Sequence, residues 1–93
     1  MARTDRKVLG QYLKERRLKA NVTQKEAADA LLLKSAQFVS NLERGLCSFP
    51  VKKLRVLIRL YKGNPQELAD LITENFRRRL NSELLGKQRV TRF

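Results

Sequence analysis

Histidine is absent from the 93 residues, and there is a single cysteine, Cys47. These shortages remove most catalytic and metal chemistry. His-dependent triads cannot be assembled, the usual zinc sites lack ligands, and no internal disulfide can form. No metal or cofactor is expected. Ser40 and Ser48 have no base near them in sequence, and Gly10, Gly45, Gly63 and Gly86 are too scattered to make a phosphate cradle. An enzyme is therefore not expected. The chain also lacks a secretory apolar segment and any apolar run of membrane-spanning length, so a cytoplasmic protein without membrane contact is the expectation. Strand signals are missing as well: there is no sustained alternation and no Asn-Gly or Asp-Gly hairpin turn.

Acidic residues are few. Nine Asp and Glu face 21 Lys and Arg, for a formal charge of +12. That imbalance costs self-repulsion in the folded chain, and a polyanionic partner is the simplest compensation.

What is abundant is helix signal, which predicts an all-α fold of five helices. The first runs from about Asp5 to Lys19, with Val8, Leu9, Tyr12 and Leu13 as its apolar stripe. Thr23-Gln24-Lys25-Glu26 is a capping box: the Thr hydroxyl accepts the Glu26 amide and the carboxylate reaches back. It opens a second helix, about 24–33, carrying Ala27, Ala28 and Leu31. A third helix, about 35–44, starts at Ser35, turns Val39 and Leu42 inward and stops at Gly45. Pro50 marks the first turn of a fourth, running to about Lys62 with Val51, Leu54, Leu57, Ile58 and Tyr61 inward and Gly63 as its stop. Asn64-Pro65-Gln66-Glu67 caps a fifth, which extends to about Leu85. A domain over 1–75, a helical extension over 76–86 and a mobile basic tail over 87–93 complete the expected organisation.

Helices two and three are short, are joined only by Leu32 to Lys34, and carry an alanine pair where they must approach closely. This is the pattern of a helix-turn-helix, whose second helix is set into a DNA major groove. The outer face of helix three is Ala36, Gln37, Ser40, Asn41 and Arg44. Gln and Asn can make paired hydrogen bonds to the N6 and N7 edge of adenine. An ordinary solvated amide face is the plainer reading of the same residues.

Leu13-Lys14-Glu15-Arg16-Arg17, Thr23-Gln24-Lys25-Glu26-Ala27-Ala28 and the run from Ser35 to Leu42-Glu43-Arg44-Gly45 carry a resemblance. Leu9 to Leu71 resembles the Cro/C1-type helix-turn-helix domains of lambdoid phage repressors and Xre-type regulators. The resemblance implies a five-helix lambda-repressor-like domain that reads duplex DNA in a sequence-specific way and regulates transcription. It implies base-edge contacts from Ala36, Gln37, Phe38 and Asn41, and phosphate contacts from Gln24, Lys34, Ser35, Ser40, Arg44 and Ser48. Arg17 and Glu43 match a partly buried ion pair tying helix one to the end of helix three. Departures from the family pattern are one extra residue before Ser35, Leu32 or Leu33 in place of the usual turn glycine, and a proline one place late. Phe38 replaces a small residue, and either touches a thymine methyl or caps the core, the commoner fate of a Phe.

Along helix five, Leu68, Leu71, Ile72, Phe76, Leu80 and Leu84 form a stripe that a domain of this size does not cover in full. Phe76, Leu80 and Leu84 are expected to form a homodimer interface, since readers of this kind commonly bind paired half-sites. Arg77-Arg78-Arg79 is either a phosphate-facing patch or a solvated face. Two rival readings are an antitoxin whose C-terminal helix clamps a toxin while its domain binds DNA for autoregulation, and a sequence-indifferent architectural protein.

Overall fold

The computed structural model describes residues 3–48 and 50–85, so the expected tail over 87–93 lies outside the described residues. Within them the chain is all-helical: α1 (Arg3–Lys19), α2 (Gln24–Ala30), α3 (Gln37–Glu43), α4 (Val51–Leu60) and α5 (Pro65–Leu84). No described helix is long and apolar enough to cross a membrane.

Leu9 and Leu13 stand one turn apart on α1 and meet Val39 and Leu42 of α3, Leu54, Leu57 and Ile58 of α4, Tyr61 at the C-cap of α4, and Leu68 of α5 in one buried core. Val8 and Val51, assigned inward by periodicity, are exposed. Val51 is the first residue of α4, where the helix has only begun to turn toward the core. Ala27 and Ala28 are fully buried, and α2 contacts both α3 and α4. A larger side chain at either alanine would hold those helices apart.

Caps fix the helix starts. At α2 both halves of the capping box are present, with Glu26 N donating to Thr23 Oγ1 at 3.0 Å and Thr23 N donating to Glu26 Oε1 at 2.8 Å. At α5 the Asn64 side chain accepts from Gln66 N at 2.8 Å, and Pro65 follows at the first helical position, where its missing N–H costs nothing. Pro50, by contrast, is the residue before α4 and not part of its first turn; it has an extended ψ of 126°.

The first four helices end alike. In each, a residue in the left-handed region follows the last turn, and two backbone amides return to carbonyls of that turn. After α2, Leu32 N donates to Asp29 O and Leu33 N donates to Ala28 O. The left-handed residues are Asn21, Leu32, Gly45 and Lys62, and the pattern satisfies carbonyls that the helix end would orphan. Leu32 therefore holds the place of the usual turn glycine. Gly63 is not the left-handed residue after α4; Lys62 is. A Cβ at Gly63 would come within 2.5 Å of Ile58 Cδ1.

The turn between α2 and α3 is longer than the sequence suggests. It takes in Leu31 to Ala36, so α2 stops at Ala30 instead of 33 and α3 begins at Gln37 instead of 35. The left-handed Leu32 ends α2 early. The first full helical bond of α3 runs from Ser40 N to Ala36 O, which leaves Ser35 outside the helix, its hydroxyl a long 3.4 Å from Gln37 N.

Candidate nucleic-acid interface

α3 is held against α1 by an approach that only glycine permits. A Cβ on Gly10 would lie 2.4 Å from the Leu42 carbonyl oxygen and 2.7 Å from that of Glu43. Further along α1, Arg17 crosses to Glu43 in a bidentate pair: Nε donates to Oε2 at 2.6 Å and Nη2 to Oε1 at 3.1 Å. Arg17 Nη1 also donates to the Val22 carbonyl at 2.9 Å. The pair is buried, with the two side chains 8% and 3% exposed. Its hydrogen bonds outweigh the desolvation of the guanidinium and raise the Arg17 pKa further. Gln24 Nε2 supplies a third donor to Glu43, at 2.9 Å. The carboxylate thus ties α1, α2 and α3 together, and one amide hydrogen of Gln24 is committed to it.

With its inner side fixed, α3 turns Gln37, Ser40, Asn41 and Arg44 toward the outside; Gln37 and Arg44 are exposed, and Ala36, Ser40 and Asn41 are half-buried. The amides and the guanidinium form a chain. Gln37 Nε2 donates to Asn41 Oδ1 at 2.9 Å, and Arg44 Nη2 donates to the same oxygen at 3.0 Å. Asn41 Oδ1 then has both lone pairs engaged and presents only N–H donors outward. Gln37 keeps its carbonyl oxygen and one N–H, the donor–acceptor pair that matches an adenine edge. The two amides are therefore not equivalent, as sequence alone made them.

Other residues singled out from sequence are dispersed around this face. Lys34 and Ser35 are exposed in the turn before α3, and Ser48 is exposed in the loop after it. Phe38 leaves the group: it is half-buried, packs on the core, and its ring lies 5.9 Å from Lys53 Nζ of α4. Phe76, Leu80 and Leu84 are far along α5.

Residues 8–71 match the family model described as helix-turn-helix domain. The chain belongs to the helix-turn-helix domain family. No curated protein and no solved structure matches the chain. The matched span covers α2, α3 and α4 whole, most of α1 and the start of α5, and it leaves the rest of α5 beyond the helix-turn-helix domain.

The helix-turn-helix of this chain has a companion cleft that sequence reading missed. Lys7, Gln11 and Lys14 of α1 line a polar cleft together with Gln24, Ser40, Glu43 and Arg44. The three α1 residues recur at helical spacing on the side of Gly10, where α1 and α3 approach closely. Their signal in the sequence is indistinguishable from an ordinary wet face; only the missing side chain at Gly10 marks the side that meets α3. Lys7, Lys14 and Arg44 put three cations on the rim of this cleft, beside a floor whose one carboxylate is already paired.

Proposed function

We propose that the chain is a sequence-specific, duplex-DNA-binding transcriptional regulator of the Cro/C1 and Xre kind, acting in the cytoplasm as a homodimer and carrying out no catalysis. The observation that supports this reading most strongly is the outer face of α3. Its outward-turned positions carry amides and one guanidinium in a mutually hydrogen-bonded row, Gln37–Asn41–Arg44, with no long apolar side chain among them. A row of this kind is pre-ordered for base edges, since fewer rotamers are lost on docking. Ser40, Arg44 and Gln24, with Lys7 and Lys14 across the cleft, supply the donors that would hold phosphates on one side of the groove. Lys34, Ser35 and Ser48 would do so from the loops.

The test is affinity for a selected operator and for a scrambled duplex at two salt concentrations. Gln37→Ala is expected to cost about 1–3 kcal/mol on the operator alone, and Asn41→Ala the same or less. Gln24→Ala should weaken both duplexes alike, through Glu43 and the phosphate side. Equal losses on operator and scrambled DNA in the Gln37 and Asn41 variants would mean that α3 does not read bases.

A further inference from the structure

From Arg44 to Gln66 the chain holds six cations and no carboxylate. Three of them, Lys52, Arg55 and Arg59, are arranged by α4, and a fourth, Lys62, stands in the left-handed turn that follows it. At about 100° per residue, Lys52, Arg55 and Arg59 fall within about 60° of one another around the helix axis. All four are exposed, and none shares an ion pair with another described residue. Arg16 of α1 reaches the far end of this stripe, its Nη2 donating to the Lys62 carbonyl at 3.2 Å. Lys53, which leans over Phe38 of α3, lies roughly 100–160° round the helix from Lys52, Arg55 and Arg59. The stripe therefore sits on the flank of α4 turned away from α3. The base-reading face and the cleft beside it do not account for it.

We infer that the outer flank of α4 is a second, sequence-indifferent docking surface for the phosphate backbone of duplex DNA, so that one protein molecule can hold a second duplex segment besides the one that α3 reads. From the preceding reading this takes only that duplex DNA is the partner. Length supports it. Lys52 to Arg59 spans about 10 Å of helix, and phosphates of one strand rise about 3.4 Å each, so the three cations of α4 face about three phosphates, with Lys62 in the turn beyond them. Chemistry supports it too: with no carboxylate in the stripe, no register along a polyanion meets a repulsive contact. A lipid surface fits less well, because the apolar face of α4, Leu54, Leu57 and Ile58, is buried in the core and has nothing to insert.

The experiment immobilises the tightest-binding duplex from a random pool, loads the full chain on it, and measures capture of a second, labelled duplex of scrambled sequence. The wild-type chain is expected to capture it. Arg55→Gln with Arg59→Gln should keep affinity for the immobilised duplex within about twofold and lower capture at least tenfold. The salt slope of capture should shrink by about 1.8, at about 0.9 for each phosphate no longer neutralised. Lys52→Gln with Lys62→Gln serves as an independent pair should the first melt early. No capture by the wild type, or capture unchanged in both pairs, overturns the proposal; in the second case two helix-turn-helix units of a dimer hold the two duplexes. Displacement of the second duplex by polyglutamate at a lower charge concentration than by competitor DNA also overturns it, in favour of an acidic protein. Loss of operator preference in the Gln37 variant with capture unchanged would leave the α4 surface standing, whereas operator preference that survives Gln37→Ala and Asn41→Ala would sink the α3 reading alone.

Discussion

Tyr61 is 1% exposed, yet its hydroxyl has no hydrogen-bond partner among the described residues. Burial, and after it the nearby Glu43 carboxylate, push its pKa well up, so the hydroxyl stays neutral across any ordinary pH. A buried unsatisfied hydroxyl costs about 1–3 kcal/mol. Tyr61→Phe, which keeps the ring and its packing, is therefore expected to raise stability by about 1 kcal/mol, or a Tm gain of about 4–8 °C for a domain of this size. Thermal melting checks it, and a lower Tm would show that the hydroxyl is satisfied in the folded chain. The Arg17 and Glu43 positions were legible in sequence only through resemblance, for nothing in composition or spacing pairs residues 26 places apart. The engagement of Gln24 with Glu43 was not legible at all. Nor was the difference between Gln37 and Asn41, which arises from Arg44 turning back onto one amide oxygen.

Helix existence was largely readable; helix ends were readable only where a side chain announced them. Thr23 and Asn64 did so at the starts of α2 and α5, because a short polar side chain competes for the first free amides. At the other ends the left-handed residue is Asn at 21 and Gly at 45, but Leu at 32 and Lys at 62, where residue type gives no warning. Leu32 costs roughly 1–2 kcal/mol in that conformation, and the two amide–carbonyl bonds that close the turn offset it. Gly10 is the reverse case, a glycine in mid-helix whose ordinary reading is a weak point of about 1 kcal/mol relative to Ala. Here the space is occupied: the nearest atoms to an added Cβ are backbone atoms of Leu42 and Glu43, which cannot rotate away. Gly10→Ala should thus destabilise the chain by about 1–3 kcal/mol despite its better helix propensity. It should also shift the end of α3, lowering operator affinity in the fraction that stays folded. Gly63→Ala is the control, since its conflict is with the flexible end of Ile58. A Tm for Gly10→Ala at or above that of the wild type would show that α1 and α3 are not locked by this contact.

At the scale of the whole molecule, assembly and charge pull in opposite directions. α5 runs beside α1 as far as Arg79, which donates to Asp5 at 3.0 Å and lies over the Phe76 ring at 5.1 Å. Arg78 pairs with Glu74 on its own helix, so two of the three consecutive arginines are engaged within the fold. Phe76 is still 49% exposed and Leu84 63%, while Leu80 is half-buried. If two copies meet along this part of α5, a formal +12 approaches +12, and added salt screens the repulsion, with a Debye length near 10 Å at about 0.1 M. Dimerisation of the free chain is therefore expected to strengthen between about 50 and 300 mM salt, whereas DNA affinity falls over the same range through counterion release. Phe76→Glu with Leu80→Glu removes two apolar groups and two units of positive charge, from +12 to +10. Charge alone would make that variant dimerise more readily. Sedimentation of wild type and variant at both salt concentrations separates the contributions: the variant should be monomeric at each, and should lose affinity for a two-half-site operator but not for a single half-site. A variant that still dimerises, or a wild type that stays monomeric even on paired half-sites, would remove α5 as the interface and leave each helix-turn-helix acting alone.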